Sequence, residues 1–240
     1  MRVELLCFFP IFLPLHAGNE VYGGPKTSIE IYPFISRLRI GRNTCTGSLL
    51  KKNLIITAHH CFFDKHGNFM SHGTATFYDS DKKKEEKGEF TRNIKHVKSY
   101  KNSDLALAKL TSSVKGIKPV KLNRKKFMTG SSMRTVGYGW HAPNGSTPDP
   151  HDGHLREIIL KISFVNETYI GTRLGKNNEG PCAGDSGAPL LVLANQQWSV
   201  LATLFGFGFD CRDSTIDPQH PHDVWSRVTV IKPSHLHQWG

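Results

Sequence analysis

A serine set among glycines carries the first candidate chemistry of this chain. Ser186 lies in the run Gly184-Asp185-Ser186-Gly187-Ala188-Pro189. A serine hydroxyl is a weak nucleophile until a base takes its proton, and its attack on a carbonyl needs N–H groups aimed at the oxyanion that forms. A glycine two residues before the serine lets the backbone turn toward that oxyanion. The same run would also suit a plain turn between two strands.

Two other segments carry a base and an acid that could act on this serine. His60 follows His59 in the run 57–61, and a histidine titrates near neutrality, so it can serve as base and then as acid. Asp104 opens the apolar run Leu105–Leu110, so we expect it to be partly buried and to need a partner such as a histidine N–H. A packed histidine and an ordinary strand-initiating acid are the plain alternatives for each residue alone.

Together, the three segments resemble the chymotrypsin/trypsin family of serine proteases, in which the triad also runs His, Asp, Ser along the chain. Most of the chain after residue 20 shares this resemblance. Val21-Tyr22-Gly23-Gly24 resembles the family's mature N-terminus, and Cys45-Thr46-Gly47-Ser48-Leu49-Leu50 resembles the segment before its catalytic histidine. Gly137-Tyr138-Gly139 resembles its Gly-Trp-Gly turn, and Trp225-Ser226-Arg227-Val228 resembles its closing strand.

The resemblance implies a role for each candidate residue. Ser186 would be the nucleophile, and His60 would be its base and acid because it directly precedes Cys61, as the family's histidine precedes its cysteine. Asp104 would orient the imidazole, and the N–H groups of Gly184 and Ser186 would form the oxyanion hole. We therefore expect a serine endopeptidase that hydrolyses peptide bonds through an acyl-enzyme, with protein or peptide substrates and with serpins or other protease inhibitors as further partners.

Substrate specificity follows from the same resemblance. Gly180 takes the position at the base of the specificity pocket where trypsins carry aspartate, and Asp223 takes a wall position that is usually glycine. Gly206 belongs to the segment 204–208, which should contain the substrate-binding strand but lacks the serine that usually supports the triad aspartate. A carboxylate on the other side of the pocket predicts a preference for a basic P1 residue (the residue before the scissile bond) with broader tolerance than trypsin.

Activation by cleavage is also implied. In this family the new α-amino group pairs with the acid just before the nucleophile, which here means Val21 with Asp185. An apolar run over residues 5–15, ending on small residues, predicts a signal peptide at 1–18. Residues 19–20 would then form a short activation peptide, like those of granzymes and mast-cell proteases, before a protease domain at 21–240. A buried apolar strand is the alternative for the first run.

Four cysteines remain after the predicted signal peptide, and an even number suits a secreted, extracellular chain with two disulfides. Spacing alone leaves three pairings open, and the family resemblance implies Cys45–Cys61 and Cys182–Cys211. No two of the four cysteines have CxxC spacing, which argues against a zinc site, and we expect no metal and no cofactor. The sequons at Asn144 and Asn166 are candidate glycosylation sites, although such triplets also arise by chance.

Composition limits the other function classes. The chain of 240 residues carries a net charge of +11, but aromatic residues do not interleave with its basic runs. We therefore expect solvated basic loops and no nucleic-acid partner, with attraction to acidic glycans or an anionic surface as the alternative. The apolar run at 5–15 is too short to span a bilayer and no other segment approaches that length, so we expect no membrane partner. We also expect a monomer. An inactive homologue acting as a secreted binding protein, or a protein acting through its charge, would be the competing functions.

The elements that must position these residues are short strands. Apolar or alternating runs occupy residues 37–40, 105–110, 156–165, 187–193, 200–205 and 224–231, separated by turn residues. This pattern predicts an all-β fold. The family resemblance makes it two six-stranded antiparallel β-barrels of the chymotrypsin type with a short C-terminal helix, and it puts the site in the cleft between the barrels.

Overall fold

The structure is a computed structural model that describes residues 24–77, 90–140, 153–175, 179–206, 209–210, 215–216 and 223–237. Strands dominate this part of the chain. The first group comprises β1 (Ile35–Ile40), β2 (Asn43–Lys51), β3 (Leu54–Ala58), β4 (Gly73–Phe77), β5 (Thr91–Tyr100) and β6 (Leu105–Leu110). These six strands close into an antiparallel barrel in the order β1-β2-β3-β6-β5-β4.

The second group of strands builds another barrel. It comprises β7 (Lys121–Leu122), β8 (Ser132–Gly137), β9 (Arg156–Val165), β10 (Tyr169–Arg173), β11 (Pro189–Ala194), β12 (Gln197–Gly206), β13 (Phe209–Asp210), β14 (Thr215–Ile216) and β15 (Asp223–Arg227). Six of them form the closed ring β11-β8-β9-β10-β15-β12, because β11 also pairs with β12. Strand β7 runs parallel beside β12, and β13 pairs only with β14.

The predicted architecture of two six-stranded antiparallel barrels with a short C-terminal helix is confirmed. The helix α1 (Pro233–His237) lies against the first barrel, where the Tyr100 hydroxyl is 2.7 Å from His235 Nδ1 and Lys51 Nζ donates to the Leu236 carbonyl. Closure removes exposed strand edges, which is how a barrel avoids pairing with other chains.

Burial follows the residue pattern that the strands require. In β9 the residues Ile158, Leu160 and Ile162 point inward and are buried, while Ile159 and Lys161 between them are exposed. In contrast, all five residues of β3 are buried, because this strand has the first barrel's interior on one side and β12 of the second barrel close to it. The site residues at the end of β3 are therefore held by a strand without a solvent face.

Four of the six predicted strands have different ends in the structure: the runs 37–40 and 200–205 extend to Ile35–Ile40 and Gln197–Gly206, and the other two shift. The run 187–193 gives a strand that begins only at Pro189, because Gly187 turns the chain with φ +80°. The run 224–231 gives β15, which ends at Arg227, and a 3-10 turn at Val228–Val230 follows it. Strands β6 and β9 have the bounds that the sequence predicts.

Candidate active site

His60 and Asp104 meet at the ends of two paired strands. Strand β3 ends at Ala58, opposite Leu105 at the start of β6, so the residues just beyond these ends are neighbours. Asp104 Oδ2 lies 2.7 Å from His60 Nδ1, and Oδ1 accepts the His60 backbone N–H at 2.8 Å. The Asp104 side chain is 7% exposed and that of His60 is 41% exposed. The aspartate is therefore sheltered while the imidazole reaches the cleft.

Asp104 occupies a strained backbone conformation. Its φ is +43°, in the left-handed region that L residues other than Asn and Asp seldom enter. Its carbonyl accepts the His59 N–H at 3.1 Å, so three contacts with the 59–60 segment hold it in this conformation. Strain of this kind persists where the surroundings over-determine the residue, as they do here.

The two adjacent histidines have different surroundings. The His59 ring packs edge-on against the Phe63 ring, with 4.7 Å between ring centroids. His60, by contrast, contacts Asp104 and lines the same cleft as Ser186. This arrangement fits the sequence prediction that His60 is the base and His59 a neighbour.

Four consecutive carbonyl groups orient the loop that carries Ser186. Each accepts one hydrogen bond: Ala183 O from Trp140 N at 2.8 Å, Gly184 O from Thr46 Oγ1 at 3.1 Å, Asp185 O from Ala188 N at 2.7 Å and Ser186 O from Thr46 N at 2.9 Å. In a trans peptide the N–H points opposite to the C=O, so fixing these carbonyls also fixes the amide directions. Within the described residues, the N–H groups of Gly184 and Ser186 donate to no other group.

Glycine is required at two positions of this loop. Gly184 has φ +99°, and a Cβ there would lie 3.2 Å from both the Tyr138 carbonyl oxygen and the Gly139 Cα. A Cβ on Gly187 would lie 2.1 Å from Thr57 Oγ1. Gly187 therefore allows the serine loop to approach β2 and β3 of the first barrel, and Gly184 allows it to approach the turn after β8, at distances that a side chain would prevent.

The cleft itself is a cavity of about 510 Å³ that reaches across both barrels. His60, Gly184 and Ser186 line it, together with the Cys45–Cys61 pair. These cysteines form a disulfide between β2 and the turn that carries His60. The two cysteines are 16 positions apart in sequence. A disulfide that closes a loop of this length contributes about 3 kcal/mol to stability on the chain-entropy model. Cys182 is also disulfide-bonded.

Asp185 points away from the cleft into a separate, small cavity. Its carboxylate accepts the N–H groups of Gly139 at 2.8 Å and Cys182 at 3.0 Å. Burial raises the pKa of this carboxyl to about 6, although the two N–H donors and the positive charge of Arg156 act in the opposite direction. The cavity has a volume of about 20 Å³, and Gly24, Arg156 and Asp185 all line it.

The predicted specificity residues lie on neighbouring strands. Gly206 at the end of β12 pairs with Val224 of β15, next to Asp223. Asp223 is 1% exposed and pairs in register with the buried Thr172 of β10. Among the described residues, no atom lies within 4 Å of a Cβ built on Gly206, so in that part of the chain space is open beside this strand end.

Gly180, the third predicted specificity residue, has a different environment. It is buried and lines the small Asp185 cavity. A Cβ on it would lie 2.5 Å from Leu174 Cδ2. A side chain at position 180 would therefore have to displace Leu174, so there is little room for one on this side of the Asp185 cavity.

Several predicted residues lie outside the described part of the chain. These are the signal and activation peptides at 1–20, Val21, Asn144 and Cys211. Asn166 is described: it is exposed in the turn between β9 and β10, and its Oδ1 accepts the N–H groups of Thr168 at 2.9 Å and Tyr169 at 2.7 Å. Its amide nitrogen therefore lies on an accessible turn, as a glycan acceptor requires.

Comparison with known proteins agrees with this geometry. The sequence model of the Trypsin family matches residues 21–226. The chain belongs to the trypsin family. Trypsin alpha of Drosophila melanogaster is 24% identical over 228 residues, covering 89% of this chain and 85% of that protein. Hypodermin-A of Hypoderma lineatum is 28% identical over 231 residues, covering 84% and 82%.

Other relatives of this trypsin-family protein extend the comparison. Beta-fibrinogenase brevinase of Gloydius blomhoffii is 26% identical over 187 residues, covering 71% of this chain and 79% of that protein. A solved structure of a Glu endopeptidase in complex with MPD superposes with a TM-score of 0.64 at 15% identity, covering 90% of this chain and 94% of the other. That likeness shows the fold alone.

Two site residues of this trypsin-family chain escaped the sequence analysis. Thr46 of β2 contacts the serine loop and the turn before Trp140, although the sequence shows it only as one residue of the segment before His60. Arg156, the first residue of β9, is 6% exposed and lines the Asp185 cavity. A basic residue at the start of an alternating strand carries no signal that it will be buried beside an aspartate.

Two kinds of feature are absent from the described residues. No group of three or more His, Cys, Asp or Glu side chains could hold a metal ion there. No helix in that part of the chain is long and apolar enough to cross a membrane.

Proposed function

We propose that this trypsin-family protein is a secreted serine endopeptidase with the triad His60, Asp104 and Ser186. The observation that carries the proposal is the 2.7 Å contact between Asp104 and His60 at the edge of the cleft that Ser186 lines. Asp104 holds the proton on His60 Nδ1, which leaves Nε2 as the base. A family member that has lost a triad residue would lack either the aspartate–histidine contact or the serine beside it.

The chemistry then follows in two half-reactions. His60 takes the proton of Ser186 as its Oγ attacks the substrate carbonyl, and the N–H groups of Gly184 and Ser186 stabilise the oxyanion. His60 then donates the proton to the leaving amine, which departs and leaves an acyl-enzyme. Water attacks the acyl group with His60 again as base, and Ser186 is restored.

Labelling with a fluorophosphonate tests this proposal directly. We expect one equivalent to attach to the processed protein, and Ser186→Ala to abolish it. A folded, correctly processed protein that is not labelled would overturn the proposal and favour a binding function. Any activity that survives in Ser186→Ala would instead point to an action through positive charge.

For substrate specificity we propose a basic P1 preference with broad tolerance. Asp223 is the carboxylate beside the Gly206 end of β12, and a carboxylate next to a substrate pocket attracts a basic P1 residue. A fluorogenic panel that varies P1 should show cleavage after Lys and Arg, with loss of that cleavage in Asp223→Ala. If basic substrates are never cleaved, Asp223 does not set the specificity.

We also propose secretion after removal of residues 1–18, and activation by removal of Asn19-Glu20. Gly24 lines the Asp185 cavity, so the segment that follows Val21 already lies beside the carboxylate that its amine would pair with. Because the cut follows Glu20, a dipeptidyl peptidase is the expected activator. N-terminal sequencing of the secreted, active protein should begin at Val21, and any other start would overturn this step.

The remaining proposals concern modification and partners. We propose N-linked glycans at Asn144 and Asn166, a Cys182–Cys211 disulfide, inhibition by serpin-type proteins and a monomeric state. Intact mass before and after glycosidase treatment, with Asn144→Gln and Asn166→Gln as the comparison, tests the glycans. Mass mapping without reduction tests the disulfide.

A further inference from the structure

Thr46 connects the first barrel to the loops that form the oxyanion hole. This residue of β2 is 0% exposed, and its three polar groups make four hydrogen bonds. Its N–H donates to Ser186 O at 2.9 Å, and its carbonyl accepts from Thr57 Oγ1 at 2.8 Å. Its hydroxyl donates to Gly184 O at 3.1 Å and accepts the Tyr138 N–H at 3.2 Å.

The hydroxyl joins two loops that are distant in sequence. Tyr138, Gly139 and Trp140 donate through three consecutive N–H groups, to Thr46 Oγ1, Asp185 Oδ1 and Ala183 O. The last two of these contacts act on the serine loop directly. The first acts through Thr46, which in turn donates to Gly184 O. Two direct contacts and the Thr46 hydroxyl therefore hold the turn at 138–140 against the loop at 183–186.

Among the four carbonyl contacts that orient the serine loop, only one is made by a side chain. The donors to Ala183 O, Asp185 O and Ser186 O are backbone N–H groups, whereas the donor to Gly184 O is Thr46 Oγ1. The Gly184–Asp185 peptide lies between the two N–H groups of the proposed oxyanion hole. Holding its carbonyl fixes ψ of Gly184 and φ of Asp185, the two torsions that set the two flanking peptides relative to each other, and Gly184 has no side chain to restrict the first of them.

We infer that Thr46 is a positioning residue for the oxyanion hole, whose hydroxyl holds the Gly184 peptide and the Tyr138 turn together. The inference rests on the proposed function, since it concerns the same site. Only a residue that both donates and accepts can make the two contacts, so serine suffices and valine does not. N–H groups that stabilise a developing negative charge must be held in position before the reaction begins. If the oxyanion hole is loosened, kcat therefore falls more than the affinity for the substrate does.

The test compares Thr46→Val, Thr46→Ser and wild type on one peptide substrate. We expect Thr46→Val to lower kcat at least tenfold while KM stays within twofold, and Thr46→Ser to recover most of kcat. A peptide aldehyde with the same P1 residue, whose hemiacetal oxygen occupies the hole, should lose affinity by the same factor as kcat/KM. A purely structural role would not couple these two losses.

Thr76→Val is the matched control, because it removes another buried hydroxyl contact of the first barrel, to Thr91 Oγ1 at 3.1 Å. We expect it to leave kcat and the aldehyde affinity unchanged. If Thr46→Val does not fold, Thr46→Ala, which adds no volume, gives the same comparison. Wild-type kcat in a folded Thr46→Val or Thr46→Ala protein would overturn the inference. A wild type that is neither labelled nor active would overturn the proposed function instead.

Discussion

At the scale of single residues, the site depends on how Asp104 is held. Its two carboxylate oxygens receive both of their described contacts from His60, through the backbone N–H and the ring. The serine that usually supports this aspartate in the family is absent from the segment 204–208. The contact between the Asp104 carbonyl and the His59 N–H takes part in holding it instead.

Replacing Asp104 by asparagine should therefore separate geometry from chemistry. Asparagine tolerates φ +43°, so the fold should be kept, whereas alanine would add backbone strain. The amide would favour the wrong imidazole tautomer, and we expect kcat to fall by about 10⁴-fold, as in other Ser-His-Asp triads. Steady-state kinetics on the fluorogenic peptide measures this loss.

Glu30→Gln provides the control for removal of one carboxylate, because Glu30 is exposed on the N-terminal segment. It should leave kcat unchanged. A fall of less than tenfold in Asp104→Asn would contradict the role assigned to Asp104. Circular dichroism of both variants would exclude unfolding as the cause of any loss.

At the scale of elements, the end of β12 is a strand edge beside open space. Its last residue, Gly206, pairs with Val224 on one side, and a Cβ on it would contact none of the described residues within 4 Å. An extended peptide could add to such an edge through backbone hydrogen bonds. The adjacent Phe205 is 42% exposed and stacks on Tyr169 at 5.9 Å between centroids, so an aromatic surface continues from the edge.

Gly206→Val should therefore impair long substrates selectively. The added side chain has room in the free protein, so we expect the melting temperature to change little. It would stand where a substrate strand runs, and KM for a tetrapeptide substrate should rise at least tenfold. The rate of labelling by a small fluorophosphonate, which does not need this edge, should stay within threefold. Equal losses with both reagents would place Gly206 outside the substrate path.

At the scale of the whole molecule, the second barrel and Gly24 of the N-terminal segment enclose a buried carboxyl of the serine loop. Asp185 has a pKa of about 6 instead of its ordinary value of 3.8, because burial penalises its charged form. A carboxyl whose folded pKa is raised contributes stability that is present below the unfolded pKa and is lost as the pH rises through the folded pKa. The window for this loss is therefore between about pH 4 and pH 6.

Asp185→Asn should remove this pH dependence in the chain that has not been cut after Glu20. We expect the free energy of unfolding of wild type, relative to the variant, to fall by at most about 3 kcal/mol between pH 4 and pH 7. Urea unfolding at several pH values measures it. A difference that does not vary with pH would show that the Asp185 carboxyl titrates normally in the folded chain.

Arg156 should act on the same carboxyl from within the second barrel. Its positive charge favours the ionised form of Asp185, so Arg156→Gln should raise the pKa of Asp185 above about 6. Carbon-13 NMR of the labelled aspartate carboxyls measures the shift. Arg156→Lys should restore the wild-type midpoint, and Lys161→Gln, on the exposed face of the same strand, should not move it. An unchanged midpoint in Arg156→Gln would contradict this coupling.

The sequence alone determined the fold class and the family, and it singled out the candidate triad. Residue types did this locally: the alternation in β9 and the apolar run of β6 predict the strands with their observed ends. Short motifs marked His60 and Ser186, because the chemistry needs those side chains next to particular neighbours. The catalytic and specificity roles stay predictions, since family likeness and fold do not test them.

Only the tertiary structure decided which groups hold the site in place. Thr46 contacts Gly184 across 138 positions of sequence and Tyr138 across 92, and neither contact leaves a local pattern. Arg156 begins an alternating strand as a solvated residue could, and its burial depends on where the serine loop packs. Sequence periodicity reports which face of a strand is buried, but the partner across a barrel interface depends on how the whole chain closes.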